Sequence, residues 1–244
     1  MNLAAALAEN RSVLLIDSDP QGNSTTGLGI SKSADRQTLY QVLLDSKPLE
    51  EAVVPLGFGG LSIVPADQNL VAANLDLIDA EHRERRLARA LYNSSVPWDY
   101  IFIDCPPALD LLTVNALVAA DSVLIPIECA FFALEGVSQL IDTIDRVKQA
   151  FNPSLQIEGI LLTMYDDRTN LTRQVEADLR EFFGDEVFRT VIPRSVRLAE
   201  APSFGKPIFA YDPRSRGAQS YMELAKELIA HGQRHGAESA QGAG

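Results

Sequence analysis

The chain has 244 residues, 46% of them hydrophobic, and a formal net charge of −12 at pH 7. That length and apolar content suffice for one sizeable core, so a single domain is expected, and no run approaches the roughly 20 continuous apolar residues of a membrane span. An evenly acidic surface would repel nucleic acid, but the charge is uneven: between Phe188 and Gly217 stand Arg189, Arg194, Arg197, Lys206, Arg214 and Arg216, opposed only by Glu200 and Asp212. Such asymmetry fits either a localised anion-binding face or arginines on a solvated surface.

The opening Met1-Asn2-Leu3 and the alanines after it lack a basic lead-in and run straight into strand-like sequence, so they are not read as a secretory signal. In chain order, Val13–Ile16, Leu61–Pro65, Tyr100–Ile103, Val123–Ile125, Ile157–Thr163 and Val191-Ile192 read as strands. Most are continuous apolar runs, which suit parallel strands covered on both faces. Between them apolar residues recur at helical spacing: Leu134, Val137, Leu140, Ile141, Ile144 and Val147, then Leu171, Val175, Leu179 and Phe182, then Tyr221, Leu224, Leu228 and Ile229. Strands alternating with helices predict an α/β fold, a doubly wound, mostly parallel sheet flanked by helices. Residues 1–230 form the expected domain, and the polar, Gly/Ala-rich stretch 231–244 is expected to be a flexible tail. Cys105 and Cys129 sit in or beside apolar runs without metal-ligand spacing, which favours buried reduced thiols over a metal or disulfide role.

Two segments carry chemistry. In Leu14-Leu15-Ile16-Asp17-Ser18-Asp19-Pro20-Gln21-Gly22, a buried strand ends in two carboxylates one residue apart and then a turn. Ligands of open α/β sheets bind at the carboxyl ends of strands. Alternation sends Asp17 and Asp19 to the same side, where like charges need a cation or donors nearby. Magnesium with phosphate would supply that; capping of the following turn is the simpler alternative. In Tyr100-Ile101-Phe102-Ile103-Asp104-Cys105-Pro106-Pro107, four apolar residues deliver Asp104 to a strand tip, a Walker B pattern suited to holding a magnesium-bound water.

These segments resemble the ParA/Soj partitioning ATPases. VLLIDSDPQGNSTTGLG (13–29), IDCPPALDLL (103–112), PIECAFFALEGVSQL (126–140), LLTMYDDRT (161–169), IPRSVRLAEAPSFG (192–205) and PIFAYDPRSRGAQSYMEL (207–224) match successive family blocks, covering the chain apart from its tail. The resemblance implies ATP and Mg²⁺ as ligands. It implies Asp19 as the carboxylate that orients the attacking water, Asp17 and Asp104 around the magnesium through water, and Pro107 in the segment that senses the γ-phosphate. Met164, Pro193 and Arg194 fall in blocks that form the adenine pocket. Arg194, Arg197, Arg214 and Arg216 fall in or near the region implicated in DNA contact, where phosphate contacts would ignore sequence and weaken with salt. Simpler readings stand beside these: Met164 as core filler, Arg194 as an ion-pair partner, Pro193 as a strand terminator.

The resemblance further implies an ATP-dependent homodimer on nonspecific double-stranded DNA, a ParB-type partner, and a cytoplasmic, nucleoid-associated protein without membrane attachment. One family element is absent from these residues: no GxxxxGK[ST] occurs, and Met1–Glu9 resembles the helix that follows that loop. The loop's backbone N–H groups, lysine and hydroxyl cradle phosphate and metal. Without the strand before it, an internal sheet position is expected to lack its partner, leaving backbone groups unpaired and apolar surface exposed. A MinD-like ATPase on a membrane is the related alternative, disfavoured by the glycine-broken polar end 231–238. A non-catalytic relative without the loop is another. An iron–sulfur role is disfavoured by the placement of the two cysteines.

Overall fold

The computed structural model describes residues 1–31, 36–130 and 133–241. In chain order they form α1 (Asn2–Leu7), β1 (Val13–Asp17), α2 (Asn23–Gly27), α3 (Leu39–Leu44), α4 (Leu49–Ala52), β2 (Val54–Pro55), β3 (Leu61–Val64), α5 (Leu70–Asp76), α6 (Arg86–Tyr92), β4 (Tyr100–Asp104), α7 (Leu111–Ala119), β5 (Ser122–Glu128), α8 (Ala133–Ala150), β6 (Gln156–Thr163), α9 (Asn170–Phe183), α10 (Val196–Glu200), α11 (Ile208–Tyr211) and α12 (Arg216–Gln241).

β1 is central in a four-stranded sheet of order β2-β3-β1-β4. It runs parallel to β3 and β4, while the short β2 lies antiparallel at the edge. Every residue of β1 is buried, and its alternation serves two cores. Val13 and Leu15 pack with α1 and with Leu224, Ala225 and Leu228 of α12. Leu14 and Ile16 pack on the opposite face with Leu39 and Val42 of α3, Leu70 of α5 and Leu112 of α7. Each fully buried Leu or Ile contributes about 1.5–3 kcal/mol, so helices on both faces stabilise the strand that carries Asp17. A third cluster packs Ile125 of β5 and Ile160 and Leu162 of β6 against Val137 and Ile144 of α8 and Val175 and Leu179 of α9.

The five longer expected strands are present as β1, β3, β4, β5 and β6. Val191-Ile192 is not a strand. It runs beside β6 with single backbone bonds, Ile192 N–H to Leu162 O at 2.9 Å and Tyr165 N–H to Ile192 O at 3.0 Å, and its one bridge is Tyr165 with Pro193. Ile192 O is met by Tyr165 N–H rather than by the N–H of Met164, whose left-handed φ of 52° takes the chain out of register there. The final helix runs on to Gln241, through residues expected as a loose tail. Ala, Glu and Gln there offset two glycines in helix propensity.

β5 and β6 pair with each other, parallel, as a separate two-stranded sheet. β4 and β5 share an apolar cluster through Tyr100, Phe102 and Leu124, yet they are not hydrogen-bonded to each other. Among the described residues the edge of β4 away from β1 and the edge of β5 away from β6 therefore lack strand partners. Ile101 of β4 is 40% exposed, whereas its neighbour β1 is sealed.

Candidate functional site

The chemistry collects at strand tips. Asp17 closes β1 and Asp104 closes β4, and the two are register partners in the parallel pair. Ser18 N–H donates to the Asp104 carbonyl at 2.8 Å, which fastens the β1 exit to the β4 tip.

Asp17 is fully buried. Its Oδ2 accepts from Thr25 N–H at 2.7 Å and Thr25 Oγ1 at 2.6 Å, and its Oδ1 accepts a longer bond from Asp19 N–H at 3.3 Å. Burial raises the Asp17 carboxyl above its ordinary range and the nearby Asp104 charge adds to this, against the lowering effect of the Thr25 bonds. The Thr25 hydroxyl also accepts from Ala66 N–H at 2.9 Å, so one side chain joins the tip of β1 to the exit of β3.

Asp19 is half-buried in the turn after β1. Its Oδ1 accepts from Gln21 N–H at 2.9 Å, and its carbonyl accepts from Gly22 N–H at 2.8 Å. The turn-capping expected of an aspartate there is thus realised with one carboxylate oxygen. Gly22, at φ 67°, occupies the left-handed region that lets the chain reverse into α2. From α2, Ser24 Oγ donates to Asp104 Oδ2 at 2.5 Å. Asp104 is half-buried, and among the described residues its Oδ1 accepts no hydrogen bond.

Beyond β4, Pro107 is exposed, and Asp110 caps α7 by accepting from Leu112 and Thr113 N–H, both at 3.1 Å. The Cys105 thiol is pushed up to about 12 by burial, then by Asp104 and Asp110. It is a packed, protonated side chain.

The remaining expected residues gather after β6. Met164 is exposed with φ 52°, a left-handed conformation rare for a long side chain. Pro193 and Arg194 line a cavity of about 560 Å³ together with Tyr165, Arg168, Val196 and Arg216. Arg168 reaches this cavity although nothing in its local sequence singles it out, and it is paired with Asp166 at 2.7 Å. Arg197 pairs with Glu200 at 3.1 Å and Asp212 at 3.5 Å. These are the two acidic residues of the basic segment, so both are spent on one arginine. Arg194, Arg214 and Arg216 are exposed and form no ion pair among the described residues.

Ser24 and Thr25 contact the two tip carboxylates, and the sequence pattern does not mark them. Their signal is a polar run directly after a Gly turn, which reads as an ordinary cap; the contacts of Ser24 with Asp104 and of Thr25 with Ala66 appear only in the folded chain.

A sequence model of the AAA_31 family, an AAA domain, matches residues 1–157. Chromosome partitioning protein ParA of Myxococcus xanthus is 51% identical over 230 residues, spanning 94% of this chain and 81% of that protein. The sporulation initiation inhibitor protein Soj of Bacillus subtilis is 51% identical over 233 residues, 95% of this chain and 92% of that protein. The chain belongs to the ParA/Soj family. A solved Mycobacterium smegmatis structure, described as cobyrinic acid a,c-diamide synthase with bound ADP and magnesium, shares the fold of this ParA/Soj chain with a TM-score of 0.82 at 35% identity, covering 95% of this chain and 87% of that one.

The donor set of the ParA/Soj chain fits a nucleotide-borne magnesium ion. No group of three or more His, Cys, Asp or Glu side chains able to cage a metal occurs among the described residues. Magnesium on a nucleotide requires none, because it takes one or two carboxylates, waters and phosphate oxygens. Asp104, with one unclaimed oxygen, meets that need. Asp17, sealed from solvent with both oxygens engaged, fits as a charge held close by rather than as a direct ligand. Among the described residues no helix is long and apolar enough to cross a membrane.

Proposed function

We propose that this chain is a partitioning ATPase that binds ATP and Mg²⁺, pairs with a second copy around the nucleotide, holds duplex DNA without regard to sequence, and is discharged by a ParB-type partner during chromosome or plasmid segregation. The observation that carries this reading is the side-by-side placement of Asp17 and Asp104 at parallel strand tips, with Asp19 in the turn beside them.

In this reading magnesium neutralises charge on the phosphates. The chain's own residues do the rest. Asp104 meets the metal's water shell. Asp17 adds negative charge from a dry, fixed position. Asp19 keeps Oδ2 available to orient a water through its proton, while Oδ1 stays tied to the Gln21 N–H. Pro107 stiffens the exposed segment after β4 that would sense the terminal phosphate. Pro193 and Arg194 receive the base in the cavity after β6, and Met164 directly precedes Tyr165 of its lining. The unpartnered edges of β4 and β5 support a further proposal, that a parallel strand carrying a phosphate-binding loop belongs between them. Such a strand would satisfy both edges and open its loop beside the carboxylates.

DNA contact is assigned to Arg194, Arg214 and Arg216, with Arg197 joining once freed from Glu200 and Asp212. The test is fluorescence anisotropy of a random-sequence duplex with the protein, Mg²⁺ and a non-hydrolysable ATP analogue. Binding is expected only with nucleotide, and to fall with salt. Arg214→Glu with Arg216→Glu should reduce the log–log salt slope by about one for each phosphate that is no longer neutralised. Unchanged affinity in that double variant would remove the DNA assignment, and absence of analogue binding would remove the nucleotide reading.

A further inference from the structure

We propose that Ser24 is a positioning residue for the metal–nucleotide site, acting through Asp104. The inference rests on the magnesium–nucleotide reading above and adds a residue to it.

The two tip carboxylates are held differently. Asp17 is gripped by three donors, two of them from Thr25. Among the described residues, the Asp104 side chain receives one, the Ser24 hydroxyl. The terminal torsion of an aspartate is broad and nearly two-fold, so a single charge-assisted hydrogen bond decides which oxygen faces where. Ser24 takes Oδ2 and leaves Oδ1 for the metal's water shell.

Ser24 is itself fixed. It is 5% exposed and lies in the first turn of α2, the short helix that Thr25 anchors to β1 and to Ala66. Thr26 ties the same turn to the Gly22 carbonyl through its hydroxyl at 3.0 Å. The hydroxyl therefore stands on a buried frame rather than on a mobile loop. A group that orients a metal-facing carboxylate is worth about 10- to 100-fold in metal affinity. Ser24→Ala removes one oxygen atom and no packing volume of consequence, so the variant keeps the fold.

The test uses the full chain with a non-hydrolysable ATP analogue and Mn²⁺ as a paramagnetic stand-in for Mg²⁺, free Mn²⁺ being read by electron paramagnetic resonance. Ser24→Ala is expected to weaken Mn²⁺ binding about 10- to 100-fold, to leave metal-free analogue affinity and melting temperature close to those of the parent, and to be rescued by Ser24→Thr. Equal Mn²⁺ affinity in parent and Ser24→Ala would overturn the inference. So would a loss of melting temperature without a change in Mn²⁺ affinity, which marks a merely structural hydroxyl. A parent chain that binds neither analogue nor Mn²⁺ would sink the nucleotide reading itself, and this inference with it. Asp104→Asn, expected to lose Mn²⁺ in the presence of analogue, distinguishes the two failures: if it binds as the parent does, the metal lies elsewhere.

Discussion

Thr25 holds Asp17 with two donors on one oxygen, its N–H at 2.7 Å and its hydroxyl at 2.6 Å, while the same hydroxyl accepts from Ala66 N–H. The hydroxyl thus spends donor and acceptor at once in a site that is almost dry. Thr25→Val keeps the shape and loses both hydroxyl bonds, leaving the buried Asp17 carboxylate one donor short and the buried Ala66 N–H without a partner. An unsatisfied buried group costs about 1–3 kcal/mol, so a loss on the order of 3 kcal/mol is expected in urea unfolding. Thr25→Ser should retain most of the stability, since it keeps the hydroxyl.

Asp17 itself is a stability liability. Its carboxyl is raised in the folded chain by burial, so the folded state disfavours the charged form relative to the unfolded chain. Stability is then lost as pH rises from the ordinary value near 3.8 through the raised folded value, and stays reduced above it. Asp17→Asn, without nucleotide or metal, is expected to melt at a higher temperature than the parent at pH 7 and to lose that advantage below about pH 4. Differential scanning calorimetry across pH checks this; a lower melting temperature at pH 7 would show that the Thr25 bonds, not burial, dominate.

Glu227 behaves oppositely. Burial would raise its carboxyl, but the N–H groups of Arg189 at 2.8 Å and Thr190 at 3.0 Å prevail and hold it below the ordinary value of 4.5. Its contribution is present above that value and is lost as pH falls through the depressed folded value. Because the carboxylate is partly exposed, solvent screens the effect. Glu227→Gln should therefore melt lower than the parent at pH 7, with the gap closing below about pH 4. Melting curves between pH 3 and 7 read the difference.

Both cysteines should resist alkylation in the folded chain. Burial pushes the Cys105 thiol up to about 12 and the Cys129 thiol up to about 11. Thiolate is the reacting form, so iodoacetamide at pH 8 should modify neither until denaturant is added. Mass spectrometry of the intact chain reads this directly, and rapid labelling of Cys105 in the native protein would contradict the packing of the β4 exit.

Much of this protein is written locally. A run such as Val13–Ile16 names a strand buried on both faces because no polar residue interrupts it, and the carboxylate that ends it must lie at a tip. The same reasoning locates Asp104, and helical spacing locates α8, α9 and the start of α12. The excess of arginine between Phe188 and Gly217 is also legible, because charge is counted without knowing the fold.

Tertiary structure decided what each group does. Ser24 meets Asp104 across 80 residues of sequence, and Arg197 is neutralised by Glu200 and Asp212 while Arg216 is left open. Val191-Ile192 has strand-like composition but lies beside β6 without a regular ladder, because the chain leaves register at Met164, whose φ is 52°. Composition and periodicity report how much a residue prefers burial; they do not say which partner arrives from a distant element. Hydrogen bonds reach about 3 Å, so the pairings that orient a carboxylate exist only once the sheet and its helices have brought the strand tips together.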